Sequence, residues 1–216
     1  MEEERSPAMA VGGRRVPSQE RGRRRVALIL DAAEEVFAES GYEAATNTEI
    51  AGRAGASIGS VYQFFPNKEA IFDAVADRYL RRLRALYDEE LSVEAAGLPL
   101  PEVLDRVMGP LAEFKAENPA FWTLFYGSES SEKLASAAED LRSEVVGRLE
   151  TIFAKRAPGL DEEQRRLYAE IVNDVVRGLF PLALSGDAAR KARVVAEIKA
   201  LLLAYLGPVF GTGALP

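Results

Sequence analysis

The chain has 216 residues, 48% of them apolar, and a formal net charge of −7. This is enough apolar material for the core of one large domain or two modest ones. The sequence contains neither cysteine nor histidine, which excludes disulfides, thiolate or imidazole metal sites, and catalysis by a histidine base. No apolar run reaches the length of a membrane span, and the Glu- and Arg-rich start is unlike a signal peptide. We therefore expect a cytoplasmic protein without a cofactor and without membrane contact.

The charge is unevenly distributed along the chain. Residues 14–25 hold six arginines against one glutamate, whereas residues 69–216 carry 18 basic and 24 acidic side chains. Residues 1–22 are polar and show no periodicity, so we predict a disordered basic tail there. The arginines at its end, including Arg24 and Arg25, either reach phosphates or a flanking minor groove, or form a solvated run without a specific role.

The first predicted helix runs from about Arg24 to Ser40 and ends at Gly41. Its apolar residues recur at helical spacing and mark a core stripe: Val26, Leu30, Ala33 and Phe37.

Residues 46–69 predict two short helices joined by a tight turn, followed by the start of a third. Thr46 and Glu49 have capping-box spacing. Gly55 suits the left-handed residue that ends a helix. Ser57 can cap a second helix, Ile58 to about Phe64. This is the helix-turn-helix arrangement, whose second helix lies in the DNA major groove.

The second helix of this unit has the residues expected of a reading surface. Ile58 and Val61 are predicted to face the rest of the unit, with Phe65 closing it. Gln63 has the chemistry to bond an adenine edge, and Lys68 suits a phosphate contact. The alternative is a helical hairpin in a bundle core, but short helices with small exposed residues bury too little area to favour it.

The stretch ATNTEIAGRAGASIGSVYQFFPNKEAIF resembles the DNA-binding segment of the TetR family of bacterial transcriptional regulators, over roughly residues 25–75. Two residues depart from the family pattern: Ile58 replaces a frequent lysine, and Phe64 replaces a frequent histidine or tyrosine. The resemblance implies DNA contacts at Thr46, Thr48, Ser57, Gly59, Ser60, Tyr62, Gln63 and Lys68.

A fourth helix is predicted from Asn67 to about Leu91, long enough to act as a lever between the DNA-binding unit and the remainder. A loop over 92–100 should follow, then a helix over 101–117 that Gly109–Pro110 should kink or split. Asn118–Pro119 should open a short aromatic helix, followed by a long helix from about Ser131 to Ala157.

A broken helix beside an aromatic segment would leave room for a mostly apolar effector pocket. The alternative is plain core packing of the same side chains. The candidate pocket residues are Met108, Phe114, Trp122, Phe125, Tyr126, Asn173 and Arg177.

The last two predicted helices, Asp161 to about Ser185 and Asp187 to Leu206, are apolar over more than one stripe and so need two packing partners. One partner is the chain's own core. The TetR resemblance implies that the other is a second copy, in a four-helix bundle, although a wholly internal core is the alternative. The candidate interface residues are Leu167, Ile171, Val175, Leu179, Val195, Ile198, Leu202 and Tyr205.

A hydrolase reading is available for Gly55-Ala-Ser57-Ile-Gly59, which fits the G-x-S-x-G pattern. That pattern needs a preceding strand and a histidine base, and the sequence offers neither, so we expect no enzyme.

The sequence predicts an all-α chain of about nine helices. Its parts are a tail over 1–22, a three-helix DNA-binding unit with the helix-turn-helix over 23–68, and a helical effector-binding and dimerisation domain over 69–216.

The expected function is that of a homodimeric, ligand-responsive regulator, most commonly a repressor, bound to a palindromic operator in double-stranded DNA and released by a small effector. The alternative is a helical dimeric protein-interaction module without sequence-specific DNA binding.

Overall fold

A computed structural model describes residues 17–118, 132–184 and 186–215. Over those ranges the chain is helical and has no strand, which confirms the predicted all-α fold. The α-helices are α1 (Pro17–Ala44), α2 (Asn47–Arg53), α3 (Ile58–Phe64), α4 (Lys68–Glu90), α5 (Leu100–Glu117), α6 (Glu132–Arg156), α7 (Glu162–Leu179) and α8 (Ala188–Phe210). None of these helices combines the length and the apolar character needed to cross a bilayer.

Two predicted segments lie outside the described residues. They are residues 1–16 of the predicted tail and the short aromatic helix that carries Phe121, Trp122, Phe125 and Tyr126.

The first helix is longer than predicted. α1 begins at Pro17, so residues 17–22, assigned above to a disordered tail, are helical. Proline suits a first helical turn, because its fixed φ is helical and its missing N–H would have had no partner there. Gly41, with φ of 76°, interrupts the helix where we predicted its end.

α4 connects the N-terminal helices to the rest of the chain. It starts one residue after its cap, Asn67, whose side chain accepts from Ala70 N at 2.8 Å. At 1.5 Å per residue its 23 residues span about 35 Å. Its buried side chains belong to one continuous core that runs from α1 to α8. The helix therefore packs against both parts of the chain, as its predicted length suggested.

The predicted break at Gly109–Pro110 is wrong. α5 runs without interruption from Leu100 to Glu117, with Pro110 inside it. Met108 and Leu111 on either side are fully buried. Burying two such side chains contributes roughly 3–6 kcal/mol, which offsets the roughly 3 kcal/mol that an internal proline costs a helix. The predicted loop before α5 contains a short 3-10 helix, Val93–Gly97.

The last three helices follow the prediction closely, with one early end. α7 ends at Leu179 and a 3-10 helix, Phe180–Leu184, replaces the predicted final turns. Pro181 explains the change, because it lacks the N–H that an α-helical continuation requires. α8 starts after its cap Asp187 and continues to Phe210, four residues beyond the predicted end.

Arg156, at the end of α6, ties the C-terminal segment to the residues that precede α5. Its side chain is buried, and desolvation lowers the pKa of the guanidinium. Its terminal nitrogens donate, at 2.6 to 3.2 Å, to the carbonyl oxygens of Ala96, Leu98, Gly211 and Gly213. A buried carbonyl that loses its donor costs about 1–3 kcal/mol. The four bonds therefore make Arg156 a major stabiliser of the packing between the C-terminal segment and the residues that precede α5.

Arg156→Met should lower the free energy of unfolding by about 2–4 kcal/mol, because it leaves buried carbonyls without donors. Thermal unfolding measures the change, and a loss of this size lowers Tm by roughly 5–12 °C for a chain of this length. Lys155→Met is the matched control, since Lys155 is exposed. Equal Tm values for the two variants would contradict this role of Arg156.

Lys115 is a second buried cation. Its side chain is 5% exposed, and Nζ lies 3.7 Å from the centroid of the Phe180 ring. The ring attracts a cation, but desolvation dominates and lowers the pKa of Lys115 to about 6. A lysine in an unfolded chain has a pKa of about 10.4. Between these two values the unfolded chain binds a proton that the folded chain does not, so stability rises as the pH rises through that window.

Lys115→Met should raise Tm at about pH 6.5, and the gain should shrink as the pH rises towards about 10.4, where the unfolded chain loses the proton as well. In the wild type this group should add up to about 1.4 kcal/mol of stability per pH unit within the window. Unfolding curves of both proteins at several pH values measure this, with Lys155→Met as the exposed control. A Tm difference that is the same at every pH would contradict the lowered pKa.

Candidate DNA interface and internal cavity

The predicted caps of the helix-turn-helix are confirmed. Thr46 Oγ1 accepts from Glu49 N at 3.2 Å, and Glu49 Oε2 accepts from Thr46 N at 2.9 Å, which completes the capping box of α2. Gly55 has φ of 59°, the left-handed conformation that favours glycine. Ser57 Oγ accepts from Ser60 N at 3.2 Å and begins α3. These local bonds fix the angle at which α3 leaves the turn.

One side of α3 packs inward and the other faces solvent. Val61 and Phe65 are buried, as predicted, with 0% and 7% of their surface exposed. Ile58, predicted to face the unit, is instead 39% exposed, because it lies in the first turn of α3, beyond the edge of that core. Tyr62 and Phe64 are also exposed.

Most of the residues that sequence singled out for DNA contact are exposed on α2 and α3 or directly before them. No heavy atom other than its neighbours lies within 4 Å of a Cβ added at Gly59, so a partner can approach this backbone closely. Ser60 is partly exposed, and the exposed members are Thr46, Thr48, Ser57, Gly59, Tyr62 and Gln63.

Lys68 has a different position from the one expected of a phosphate contact. Its Nζ donates to the carbonyl oxygens of Tyr42, Glu43 and Ala45 at 2.7, 3.1 and 3.1 Å. It also lies 4.4 Å from the centroid of the Tyr42 ring. An ammonium group has three donors, and all three are used. Lys68 therefore joins the start of α4 to the end of α1, and a phosphate contact would require it to give up one of these bonds.

Two arginines hold the other helices of the unit against α1. Arg53 of α2 pairs with Glu35 and Glu39, at 3.2 and 2.7 Å. Arg78 of α4 pairs with Asp31 and Glu34, at 2.6 and 3.0 Å. Desolvation raises the pKa of Glu34, although Arg78 and Arg82 nearby act in the opposite direction. The hydrogen bond from Arg53 lowers the pKa of Glu39. Sequence reasoning missed both clusters, because the partners lie on different helices and share no sequence spacing.

The two arginines proposed at the start of the unit lie on α1 and not in a flexible arm. Arg24 is exposed and Arg25 is half-buried.

An apolar cavity of about 60 Å³ lies among α4, α5, α6, α7 and α8. Met108 and Asn173 line it, as predicted, and Asn173 with Tyr87 brings polar atoms to its wall. Phe114 is buried outside it, packed edge-on against Tyr79. Arg177 is exposed on α7 and does not line it. The cavity arises where five helices converge, since α5 has no break.

α7, α8 and the 3-10 helix between them expose neighbouring apolar side chains. Leu182 and Leu201, which sequence reasoning missed, are about half exposed. Two predicted interface residues, Ile198 and Leu202, are buried in the chain's own core, so that assignment is wrong for them. The other six predicted interface residues are exposed or half-buried: Leu167, Ile171, Val175, Leu179, Val195 and Tyr205.

The hydrolase reading of Ser57 fails on geometry as well. The element before Ser57 is the helix α2, and the Ser57 hydroxyl caps α3. A nucleophile of that class follows a strand and is activated by a histidine, which this sequence lacks.

Two family descriptions match the chain. "Bacterial regulatory proteins, tetR family" matches residues 29–75, which hold α2, α3 and most of α1. "Tetracyclin repressor-like, C-terminal domain" matches residues 99–206, half of the chain, which include α5 to α7 and most of α8.

Individual proteins agree with these matches. The HTH-type transcriptional regulator BetI of Rhizobium meliloti is 36% identical over 135 residues, which cover 62% of this chain and 60% of that protein. The HTH-type transcriptional repressor ComR of Escherichia coli is 38% identical over 96 residues, 41% of this chain and 46% of that protein. The chain thus spans less than two thirds of the length of either relative.

A solved structure supports the fold. The crystal structure of a transcriptional regulator from Rhodococcus sp. Rha1 has a TM-score of 0.68 at 21% identity and covers 88% of this chain and 99% of that one. The family matches, the relatives named as regulators and the exposed helix-turn-helix surface all agree. The chain belongs to the TetR family of bacterial transcriptional regulators, a family of DNA-binding proteins that are not enzymes.

Proposed function

We propose that a homodimer of this chain represses transcription in the cytoplasm by binding a palindromic operator, and that a small, mostly apolar effector releases it. The observation that carries this proposal is the reach of α4. One end of α4 holds the helix-turn-helix through Lys68, and its other end, at Tyr87, lines the apolar cavity.

The exposed surface of α3 is suited to direct reading of bases. α3 has only seven residues, and its outer side carries small residues that permit close approach. Gln63 can bond adenine in the major groove through both its amide donor and its carbonyl acceptor. Thr46, Thr48, Ser57, Ser60 and Tyr62 supply hydroxyl groups of the kind that contact phosphates and fix the register of the helix.

A second copy of the chain is the proposed cover of the apolar face on α7 and α8. Exposed leucines grouped on two adjacent helices are the mark of an interaction surface. Two such helix pairs related by a two-fold axis form a four-helix bundle, in which the same residues meet each other. A two-fold dimer also presents two reading helices, which can bind successive major grooves about 34–36 Å apart.

The cavity is the proposed effector site. Its volume of about 60 Å³ matches only about two water molecules. An effector of more than a few atoms must therefore push the surrounding helices apart, and α4 is one of them. Such an effector releases DNA only to the extent that it binds the expanded dimer more tightly than the DNA-bound one.

DNA binding is tested by recovering the genomic fragments that the purified protein retains and measuring affinity against salt. We expect a steep fall, since each neutralised phosphate adds about 0.9 to the slope of log K against log salt. Gln63→Ala should reduce discrimination at one base pair by about 1–3 kcal/mol and leave the slope unchanged. Lys68→Met should weaken binding to all fragments and lower Tm, also with an unchanged slope, because Lys68 binds carbonyls and not phosphates.

Binding that does not depend on salt, or no binding to any fragment, would contradict the proposed function and favour a protein-interaction module. A slope reduced by about one unit per subunit in Lys68→Met would show instead that Lys68 contacts a phosphate.

Leu201→Glu should convert the dimer to a monomer and abolish operator binding, because it places a charge in the centre of the proposed apolar interface. Light scattering after size exclusion measures the mass. Val93→Glu is the matched control: Val93 is 41% exposed and Leu201 47%, but Val93 lies outside α7 and α8. A dimer that persists in Leu201→Glu, or a wild-type monomer, would refute the proposed interface.

A further inference from the structure

We propose that α1 carries a second DNA contact: Arg25 binds a backbone phosphate beside the bases that α3 reads, and Phe64 packed against Gly22 holds this part of α1 in place. The proposal rests on the DNA binding proposed above and extends it from the helix-turn-helix to the N-terminal turns of α1.

The first observation is a close approach between α1 and the end of the reading helix. A Cβ added at Gly22 would lie 3.9 Å from Cε1 of Phe64. Gly22 lies about one and a half turns inside α1, which begins at Pro17. Phe64 is the last residue of α3 and remains 38% exposed. The ring therefore joins the arginine-rich turns of α1 to the same exposed surface that carries Tyr62 and Gln63.

The second observation is the orientation of α1, which determines which of its arginines lie on the side that faces the helix-turn-helix. α1 has two polar flanks: Glu35 and Glu39 pair with Arg53 of α2, whereas Asp31 and Glu34 pair with Arg78 of α4. These pairs fix the orientation of α1 about its own axis. One flank faces α2 and the other faces α4.

The helical repeat then assigns each arginine to a flank. Arg21 lies five full turns before Glu39, and Arg25 lies within about 40° of Glu39, so both are on the α2 flank. Arg23 lies within about 20° of Glu34, so it is on the α4 flank. Arg25 and Arg23 are thus two residues apart in sequence but on opposite flanks of one helix.

The third observation is the charge. Arg53 and Arg78 are each paired with two carboxylates. Arg25, over the part of the chain that the structure describes, has no ion pair or side-chain hydrogen bond. It is nevertheless half-buried, and it lies one turn of α1 after Gly22, which contacts Phe64. A DNA phosphate supplies the missing counter-ion, and a guanidinium can bind it through two nitrogens.

The matched comparison is Arg25→Ala against Arg23→Ala, titrated with a retained genomic fragment at several salt concentrations. The two variants remove the same charge from the same helix. Arg25→Ala should lower affinity about tenfold or more and reduce the salt slope by about one unit per subunit, with the base preference unchanged. Arg23→Ala should produce less than half of either change.

Phe64→Ala tests the contact that holds α1. We expect it to reduce the salt slope as Arg25→Ala does, and we expect Arg25→Ala to have almost no further effect in the Phe64→Ala background. A contact that Phe64 made independently would instead add to the effect of Arg25→Ala. Circular dichroism and Tm confirm folding of each variant.

Equal losses in Arg25→Ala and Arg23→Ala would overturn the inference while leaving the proposed function standing, since the arginines would then act only as diffuse charge. A wild-type protein that retains no fragment would overturn both. A larger slope change in Arg25→Ala that vanishes in the Phe64→Ala background would support the assignment.

Discussion

The arrangement of this protein depends on a single ammonium group. Lys68 stands at the first residue of α4 and donates to three carbonyl oxygens where α1 ends, just before the cap of α2. Two of those carbonyls lie in the last turn of α1 and the third is that of Ala45, directly after it, and carbonyls at a helix end lack intrahelical partners. One side chain therefore satisfies all three and fixes the junction of three helices. α3 is positioned between these fixed points, so its exposed side has one defined orientation relative to α4.

The same helix gives that junction a connection to the interior. α4 is held to α1 by Arg78 and packs through Tyr79 against α5. Near its end, Tyr87 reaches the cavity wall. Because packed interiors have low compressibility and transmit strain, the proposed effector would displace α4 by widening the cavity. The start of α4 carries Lys68, so in this proposal the displacement would reach α3. This geometry is what makes a ligand-responsive DNA-binding protein a reasonable use of the fold.

Some charged side chains of this protein are buried and some large apolar ones are exposed, which reverses the usual distribution. Arg156 and Lys115 are buried, whereas Leu167, Leu182 and Leu201 are exposed. Arg156 is stabilised by four carbonyl oxygens, whereas Lys115 has a lowered pKa. Burial of a charge is tolerated where backbone acceptors converge or where the group becomes neutral. Leu167 and Leu201 remain about half exposed over the part of the chain that the structure describes, and the proposed second copy would cover them.

The sequence determined the features that depend on neighbours within about four residues. The caps at Thr46, Ser57 and Asn67, the left-handed Gly55 and the length of α3 were all predictable, because the bonding partners lie in the same turn of chain. The all-α class followed from periodicity. Most of the exposed side of α3 also followed, since the ends of that helix were known.

Only the tertiary structure decided which side chains meet across helices. It directed Lys68 to carbonyls, exposed Ile58, buried Ile198 and Leu202 in the chain's own core, and kept α5 whole through Pro110. A helical stripe in sequence is apolar whether it faces its own core or a partner, and a lysine has the same chemistry towards a carbonyl as towards a phosphate. Those choices depend on the elements that pack against each residue, and in this chain those elements are distant in sequence.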